Sequence, residues 1–308
     1  MQEPGRYAQD TEFDLLEVLC RAARNRTFID VGAEKGIFAR FLIERGFEGV
    51  LFEPCPKHAR SLEALAEATG ARVYPFAIDR RDRSAELHLS RREDGELEDY
   101  FHSLQKLVGD SRVHHSDSMA VSCRSLESLA EEGLIGESVG VLKIDTEGND
   151  LEVLEGMGSV RAEVLICEFF TEGLYAGWEA AHPEGLIEEA GRLGYRHYLA
   201  IRRRGSRELL SWGPAAFGEG LWGNLVFMRE TVYRRCFAQL HALVERSERQ
   251  LFEPPEDVEG ATLEKQLNGL RAICAERLEL IDYLHRENAA RLEIIASLES
   301  KLREGEIS

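Results

Sequence analysis

The stretch Thr27-Phe-Ile-Asp-Val-Gly-Ala-Glu-Lys-Gly36 decides how the chain is read. A short apolar run carrying an acid near its end passes into a glycine-containing turn and then into the amphipathic segment Ile37 to Arg45, the pattern of strand, turn and helix. Gly32 and Gly36 let the backbone turn tightly and approach a ligand that a Cβ would keep out. Their spacing is G-x-x-x-G, unlike the G-x-G-x-x-G of a dinucleotide pyrophosphate site, so the turn suits a cofactor without that pyrophosphate and disfavours a nicotinamide dehydrogenase.

Outward from this turn the pattern repeats. Gly49-Val-Leu-Phe-Glu53-Pro54 is a second strand ending in a carboxylate, 23 residues after Asp30, where an acid can accept both hydroxyls of a ribose. Val139-Gly-Val-Leu-Lys-Ile-Asp145-Thr-Glu147-Gly148 is a third, delivering Lys143 and Asp145 on one face with Glu147 on the turn beyond. Taken singly, a strand-end acid reads equally well as a helix cap. In an open α/β sheet, however, ligands bind outside the carboxyl ends of the strands, so Asp30, Glu53, Asp145 and Glu147 are expected to converge on one crevice.

Further strands are expected at Arg72 to Ala77, Ala85 to Leu89, Val164 to Phe169, His197 to Ile201 and Asn224 to Met228. Helices are expected at Lys57 to Thr69, Leu126 to Glu132, Asp150 to Met157 and Glu184 to Leu193, with a leading helix around Leu15, Leu16 and Leu19. That order predicts an α/β fold, a mainly parallel sheet covered on both faces, with a late hairpin-like pair. Residues 90–118 stand apart as a polar, interrupted insert, with His102 and His114 on a segment that can act as a lid.

The length of 308 residues suffices for one sizeable core and an appendage, and no run approaches the ~20 apolar residues of a membrane-spanning helix. The formal net charge of −18 disfavours bulk binding to nucleic acid or anionic membranes. The polar N-terminal residues lack the basic head and apolar run of a secretory signal, so a cytoplasmic location is expected. Six scattered cysteines without a C-x-x-C pair read as reduced structural thiols, and no metal site is expected.

The stretches TFIDVGAEKGIFARFL, GVLFEPCP, YPFAIDRRDRSAELHL, VSCRSLESL, LKIDTEGNDLEVLEGM and GNLVFMR together resemble the FkbM family of S-adenosylmethionine-dependent methyltransferases, from about Thr27 to Arg229. The most specific piece is L-K-I-D-x-E-G followed by a leucine-spaced helix. The resemblance implies a class I methyltransferase (Rossmann-like) fold, a seven-stranded sheet ending in an antiparallel hairpin, and methyl transfer, usually to oxygen, on a sugar or natural product. By position it implies that Asp30, Gly32, Ala33 and Gly36 line the methionine end of the cofactor, Glu53 holds the ribose, and Ala77 and Ile78 flank the adenine. Asp145 is implied beside the sulfonium and the acceptor. Glu34-Lys35 departs from the small or amide residue more usual in the family.

If the acceptor is a hydroxyl its proton must leave, and Asp145 and Glu147 are the candidate general bases, with Lys143 to fix a carboxylate or steady a developing alkoxide. His102 or His114 is the alternative base, and a helix-capping charge is the plainer role for Glu147. A divalent ion on Asp145 and Glu168 is conceivable and not predicted. Arg202-Arg203-Arg204 reads as a solvated hairpin or as a contact for phosphate or an acidic glycan. Met119, Trp178, Trp212 and Trp222 are core or acceptor surface, with Tyr175-Ala-Gly-Trp178 the best placed for substrate.

The domain is expected to span 1–230, followed by a linking helix over 231–255 and a coiled coil over 256–308. Stepping four and three residues from Leu263 to Leu302 gives nine apolar positions of twelve, with Asn288 in an a-type position, which points to a homodimer or to a contact with a partner enzyme. A single helix folded back on the domain is the competing reading, favoured by Arg277 and Arg291 on the seam. The functional expectation is an oxygen methyltransferase for a carbohydrate or related polar acceptor, as in polysaccharide biosynthesis. Its rival is a non-catalytic assembly protein working through the coil.

Overall fold

A computed structural model describes residues 11–92, 97, 101–108, 113–173, 175–177, 181–205, 207–215 and 217–250. The expected coiled coil lies outside the described residues. The compact unit treated below comprises the described residues within 11–213 and 217–248.

Among the described residues the main sheet has eight strands: β1 (Thr27–Val31), β2 (Glu48–Phe52), β3 (Arg72–Tyr74), β7 (Ser138–Ile144), β8 (Arg161–Phe170), β9 (His197–Arg204), β10 (Arg207–Trp212) and β11 (Trp222–Met228). Their spatial order is β10-β9-β11-β8-β7-β1-β2-β3. Strands β3, β2, β1, β7 and β8 run parallel, and β11 is inserted antiparallel between β8 and β9. The seven-stranded sheet with an antiparallel pair that the resemblance implies is present with one strand added, because β9 continues through the arginine run and folds back as β10.

The central strands β1, β7 and β8 read as near-continuous apolar runs because both faces are covered. On one face α1 (Thr11–Ala22), α2 (Ile37–Ile43) and α3 (Pro56–Thr69) share a core with Phe28, Val141, Ile166 and Val226. Also in the unit are α4 (Leu126–Glu131), α5 (Asp150–Glu155) and α6 (Pro183–Arg192), with α5 and α6 packed on each other and on β8. Local signals start these helices: Pro56 and Pro183 occupy first-turn positions, and the Ser125 hydroxyl accepts the Ser128 N–H at 3.1 Å.

Helix α7 (Glu230–Gln250) begins where a linking helix was expected, but Val232, Cys236, Leu240 and Val244 are buried in the same core as α1. The compact unit therefore runs past 230 to Glu248. A stripe of apolar residues at helical spacing is a docking face whether it packs on the parent domain or on a partner, and sequence alone does not distinguish the two.

The polar insert is also redrawn. Both its ends are strand: β5 (Arg83–Arg92) and β6 (Val113–Arg124) form an antiparallel pair beside the short β4 (Ala77–Ile78), a second sheet of three strands. Only one face of that pair is covered, by Leu87, Val121 and Cys123 with Ala85, Leu89 and Met119 around them, so every second residue is polar and the run reads as loop. No described helix is long and apolar enough to cross a membrane.

Candidate active site

The carboxyl ends of β1, β2, β7 and β8 open into a cavity of about 720 Å³. Asp30, Gly32, Ala33, Glu53, Ala77, Ile78, Lys143, Asp145 and Glu147 all line it. Gly36 does not: it sits in a left-handed conformation (φ 74°) at the start of α2, and a Cβ there would meet Leu65 Cδ2 at 2.8 Å and Leu62 Cδ2 at 3.1 Å. Its smallness serves the packing of α2 on α3 rather than a ligand.

Gly32 joins two of the motifs. With φ 77°, its missing Cβ would lie 1.9 Å from the Asp145 carbonyl oxygen, so only glycine lets the first turn pass the end of β7. The Gly32 and Ala33 N–H groups both donate to the Phe52 carbonyl, tying the turn to β2. Glu34 carries a left-handed backbone (φ 48°), and its N–H donates to Glu53 Oε2 at 2.8 Å. Glu53 also accepts from the Cys55 N–H at 2.7 Å, so its carboxylate is oriented before any ligand arrives. Burial pushes the Glu53 carboxyl up to about 7 against these two amides.

Asp30 is fully buried, and neither carboxyl oxygen has a hydrogen-bond partner among the described residues. Burial raises it to about 7, opposed by Lys143 and reinforced by Asp145 and Glu53. Lys143, its neighbour across the β1–β7 register, donates from Nζ to Asp145 Oδ2 at 2.7 Å. Burial alone would neutralise that lysine, but the charges of Asp145, Asp30 and Glu12 outweigh it and keep Lys143 protonated.

At the turn after β7, Glu147 has a left-handed backbone (φ 56°) and is clamped from several sides. The Tyr175 hydroxyl donates to Glu147 Oε2 at 2.5 Å, the Phe101 N–H reaches Oε1 at 3.4 Å, and the Ser103 hydroxyl donates to the Glu147 carbonyl at 2.6 Å. Burial and the Asp145 charge raise the Glu147 carboxyl, while Tyr175 opposes the rise. Asp150, in the first turn of α5, ties this turn to β8 by accepting the Thr146 hydroxyl at 2.5 Å and the Glu168 N–H at 2.9 Å.

Part of the insert reaches the site: Phe101, His102, Ser103 and Leu104 line the cavity. His102 accepts the Ser90 N–H on Nδ1 at 3.0 Å. His114 is exposed on β6 and does not line the cavity, which removes it as a base. Its neighbour His115 instead pins the segment, accepting the Leu107 N–H on Nδ1 at 2.9 Å with Nε2 2.8 Å from the Phe101 carbonyl. Alternation along β6 decides which of the two adjacent histidines turns inward.

Tyr175 was expected to meet substrate but is fully buried, a support for Glu147. Trp178 lies outside the described residues. Trp222, 41% exposed, lines the cavity with Glu172 and Phe170, whereas Trp212 packs on Tyr233 and Phe237 of α7, and Met119 on the three-stranded sheet. Within the arginine run, Arg202 is buried and donates to the Ser211 hydroxyl at 2.9 Å, and Arg203 pairs with Glu208 at 2.7 Å. The run is thus bound into its own hairpin. Sequence reasoning missed Glu12, Phe13 and Phe38 on the first two helices, which line the cavity; Glu12 and Phe13 lie outside every motif.

Two groups have metal-like spacing. Ligand atoms of Asp145, Glu147 and Glu168 lie within 4.8 Å of one another, a hard-donor set compatible with a divalent cation, and Cys55, His58 and His102 form a softer one. In the first group Asp145 already holds Lys143 and Glu147 already holds Tyr175. In the second the Ser90 N–H occupies one nitrogen of His102.

Among the described residues Lys143 is the single Lys or Arg lining the cavity, against many carboxyl groups. A site of this sign favours a cation, and S-adenosylmethionine carries a sulfonium and an ammonium against one carboxylate; the buried, unpartnered Asp30 fits that demand.

The family model for the methyltransferase FkbM domain matches residues 30–196. No curated protein matches the chain. Solved structures similar to it include an O-methyltransferase from Bacillus cereus in complex with SAH (15% identity over 74% of this chain and 83% of that one, TM-score 0.36). Others are a precorrin-6y C5,15-methyltransferase from Geobacter metallireducens (8%, 74% and 93%, TM-score 0.36) and an rRNA methylase from Streptococcus thermophilus (10%, 74% and 98%, TM-score 0.36).

Proposed function

The chain belongs to the FkbM methyltransferase family, S-adenosylmethionine-dependent enzymes, and on that premise we propose that it methylates a hydroxyl of a carbohydrate or related polar acceptor. The observation that carries this reading is the clamped pair of carboxylates, Asp145 beside Lys143 and Glu147 beside Tyr175, lining a cavity whose other walls suit a cationic cofactor. The cofactor supplies an electrophilic methyl group on a sulfonium.

What remains for the chain is alignment and a proton. Asp30, Gly32 and Ala33 would border the methionine end, Glu53 would present two oriented oxygens to the ribose, and Ala77 and Ile78 would flank the adenine. Holding acceptor and methyl in line contributes several kcal/mol, of the ~7–11 kcal/mol available to well-oriented reactions. The chain's own part would be to take the acceptor's hydroxyl proton on Glu147 or Asp145, and a raised carboxyl such as Glu147 is the better base. Lys143 fixes Asp145 and offsets charge developing on the acceptor oxygen. Trp222 and Glu172 give the mouth an apolar platform beside a hydrogen-bonding acid, the combination that suits a sugar ring.

Titration calorimetry with S-adenosylmethionine, with NAD as control, followed by a screen of sugars and glycan precursors, tests the reading. Glu147→Gln is expected to lower turnover by ~10²–10⁴-fold while leaving cofactor affinity within a few-fold. A folded protein that binds no S-adenosylmethionine would overturn the proposal. The segment 256–308 is assigned to joining two copies or docking a partner enzyme in the cytoplasm; a monomeric mass of 34.8 kDa in light scattering at tens of micromolar would exclude the homodimer.

A further inference from the structure

Helix α1 and strand β11 both lie outside residues 30–196, yet both reach the cavity. Glu12 stands in the first turn of α1, where any acid complements the helix dipole. Its side chain does something the dipole does not require. Glu12 lines the cavity, and Asn224 of β11 donates from Nδ2 to Glu12 Oε2 at 3.0 Å. One carboxylate oxygen is thereby held, and the charge of Glu12 bears on both Lys143 and Asp30.

Strand periodicity explains why these residues meet. Side chains two apart share a face. Asp30 follows Phe28, Lys143 follows Val141, Glu168 follows Ile166, and Asn224 precedes Val226 by that interval. Phe28, Val141, Ile166 and Val226 belong to the core that includes Leu15 and Leu16 of α1. The polar residues therefore continue the α1-covered face, with Asp30 beside Lys143 and Asn224 beside Glu168 in the register.

The second, independent observation is Asp30 itself, fully buried with both oxygens lacking a hydrogen-bond partner among the described residues. A buried carboxylate in that state is costly unless a donor arrives. Lys143 does not relieve it by a hydrogen bond, since its Nζ bonds Asp145. One steered carboxylate and one orphaned carboxylate thus border the same end of the cavity, which calls for a small cation with several N–H donors.

We propose that Glu12 and Asp30 together seat the α-ammonium group of the cofactor's methionine tail, with Asn224 positioning Glu12. The inference rests on the reading that the cavity holds S-adenosylmethionine and extends it to a helix and a strand beyond the matched domain. An ammonium has three donors, enough to serve both carboxylates, and Asn224 spends its own donor in turning Glu12 toward it.

The test is calorimetry on the full-length protein with two ligands, S-adenosylhomocysteine and its deamino analogue 5′-deoxy-5′-(3-carboxypropylthio)adenosine. The wild-type protein is expected to prefer S-adenosylhomocysteine. Glu12→Gln should weaken that ligand about tenfold and leave the analogue unchanged, so that the preference collapses; Asn224→Ala should act in the same sense by less. Binding of the analogue by the variants shows that they are folded. Equal loss for both ligands, or no loss for either, overturns the seat. Wild-type protein that binds both ligands equally well also overturns it while sparing the cofactor assignment, whereas wild-type protein that binds neither removes that assignment and this one together.

Discussion

Asp30 and Glu147 are both acids in one cavity, and they are treated in opposite ways. Glu147 is held by Tyr175, Phe101 and, through its carbonyl, Ser103, on a backbone forced into a left-handed turn. Asp30 sits on a regular strand, buried, with no hydrogen-bond partner among the described residues. On the proposed function, the difference separates two tasks. A group that must receive a proton at a defined point is oriented in advance, because misplacement costs rate. A group that must bind a cation can be left unsatisfied, since the ligand then relieves a penalty already present and gains affinity from it.

The largest effect is expected where the two ends are joined. Gly32→Ala would drive a Cβ into the Asp145 carbonyl and impose a left-handed backbone on alanine. A loss of about 3 kcal/mol or more is expected, as strain and overpacking each contribute ~1–3 kcal/mol. Thermal melts measure it, and a stable Gly32→Ala protein with normal cofactor binding would mean that the two motifs are not in contact.

Asp30→Asn sharpens the contrast from the binding end. A charge-assisted hydrogen bond is worth ~1.5–3 kcal/mol, so S-adenosylmethionine affinity should drop tenfold or more while the unliganded protein stays at least as stable. Calorimetry and melting of the same sample separate the two, and a less stable unliganded variant would contradict the orphan description.

The contrast also has a pH signature. Asp30, Glu53 and Asp150 are raised to about 7 from ordinary values of 3.8, 4.5 and 3.8. The folded chain then binds more protons than the unfolded chain between about pH 4 and 7, so these groups make stability fall as pH rises through that window. A cationic ligand favours the ionised forms, so the cofactor's stabilising shift should grow from pH 5 to pH 8 and its binding should release protons. A shift in melting temperature independent of pH would count against a cation in the cavity.

The smallest expected effect is at Tyr175. Its hydroxyl lowers the Glu147 carboxyl, so Tyr175→Phe should move the acid limb of the rate profile to higher pH and leave cofactor affinity unchanged. An unmoved limb with reduced turnover would make Tyr175 a packing residue only.

Much of this was legible before the structure. The three strand-end motifs and the alternation of apolar runs located β1, β2, β7, α2 and α5, because a buried parallel strand and an amphipathic helix leave local signatures a few residues long. Asp30, Glu53, Asp145 and Glu147 were placed at one crevice by a rule about sheet ends that needs no coordinates. The strand β6 was hidden because its exposed face carries Ser118 and Ser122 where a core strand would be apolar.

Sequence by itself determined the repeating strand–helix order, the glycine at position 32, the sign of the cavity and the family of the chain. Only the tertiary structure decided that Gly36 faces α3, that His115 rather than His114 turns inward, that Tyr175 holds Glu147, and that Glu12 and Asn224 meet. The reason is range. Backbone conformation and amphipathic period are set by neighbours within a turn or two, whereas Glu12 and Asn224 stand 212 positions apart and come together only because β11 inserts beside β8 on the face that α1 covers.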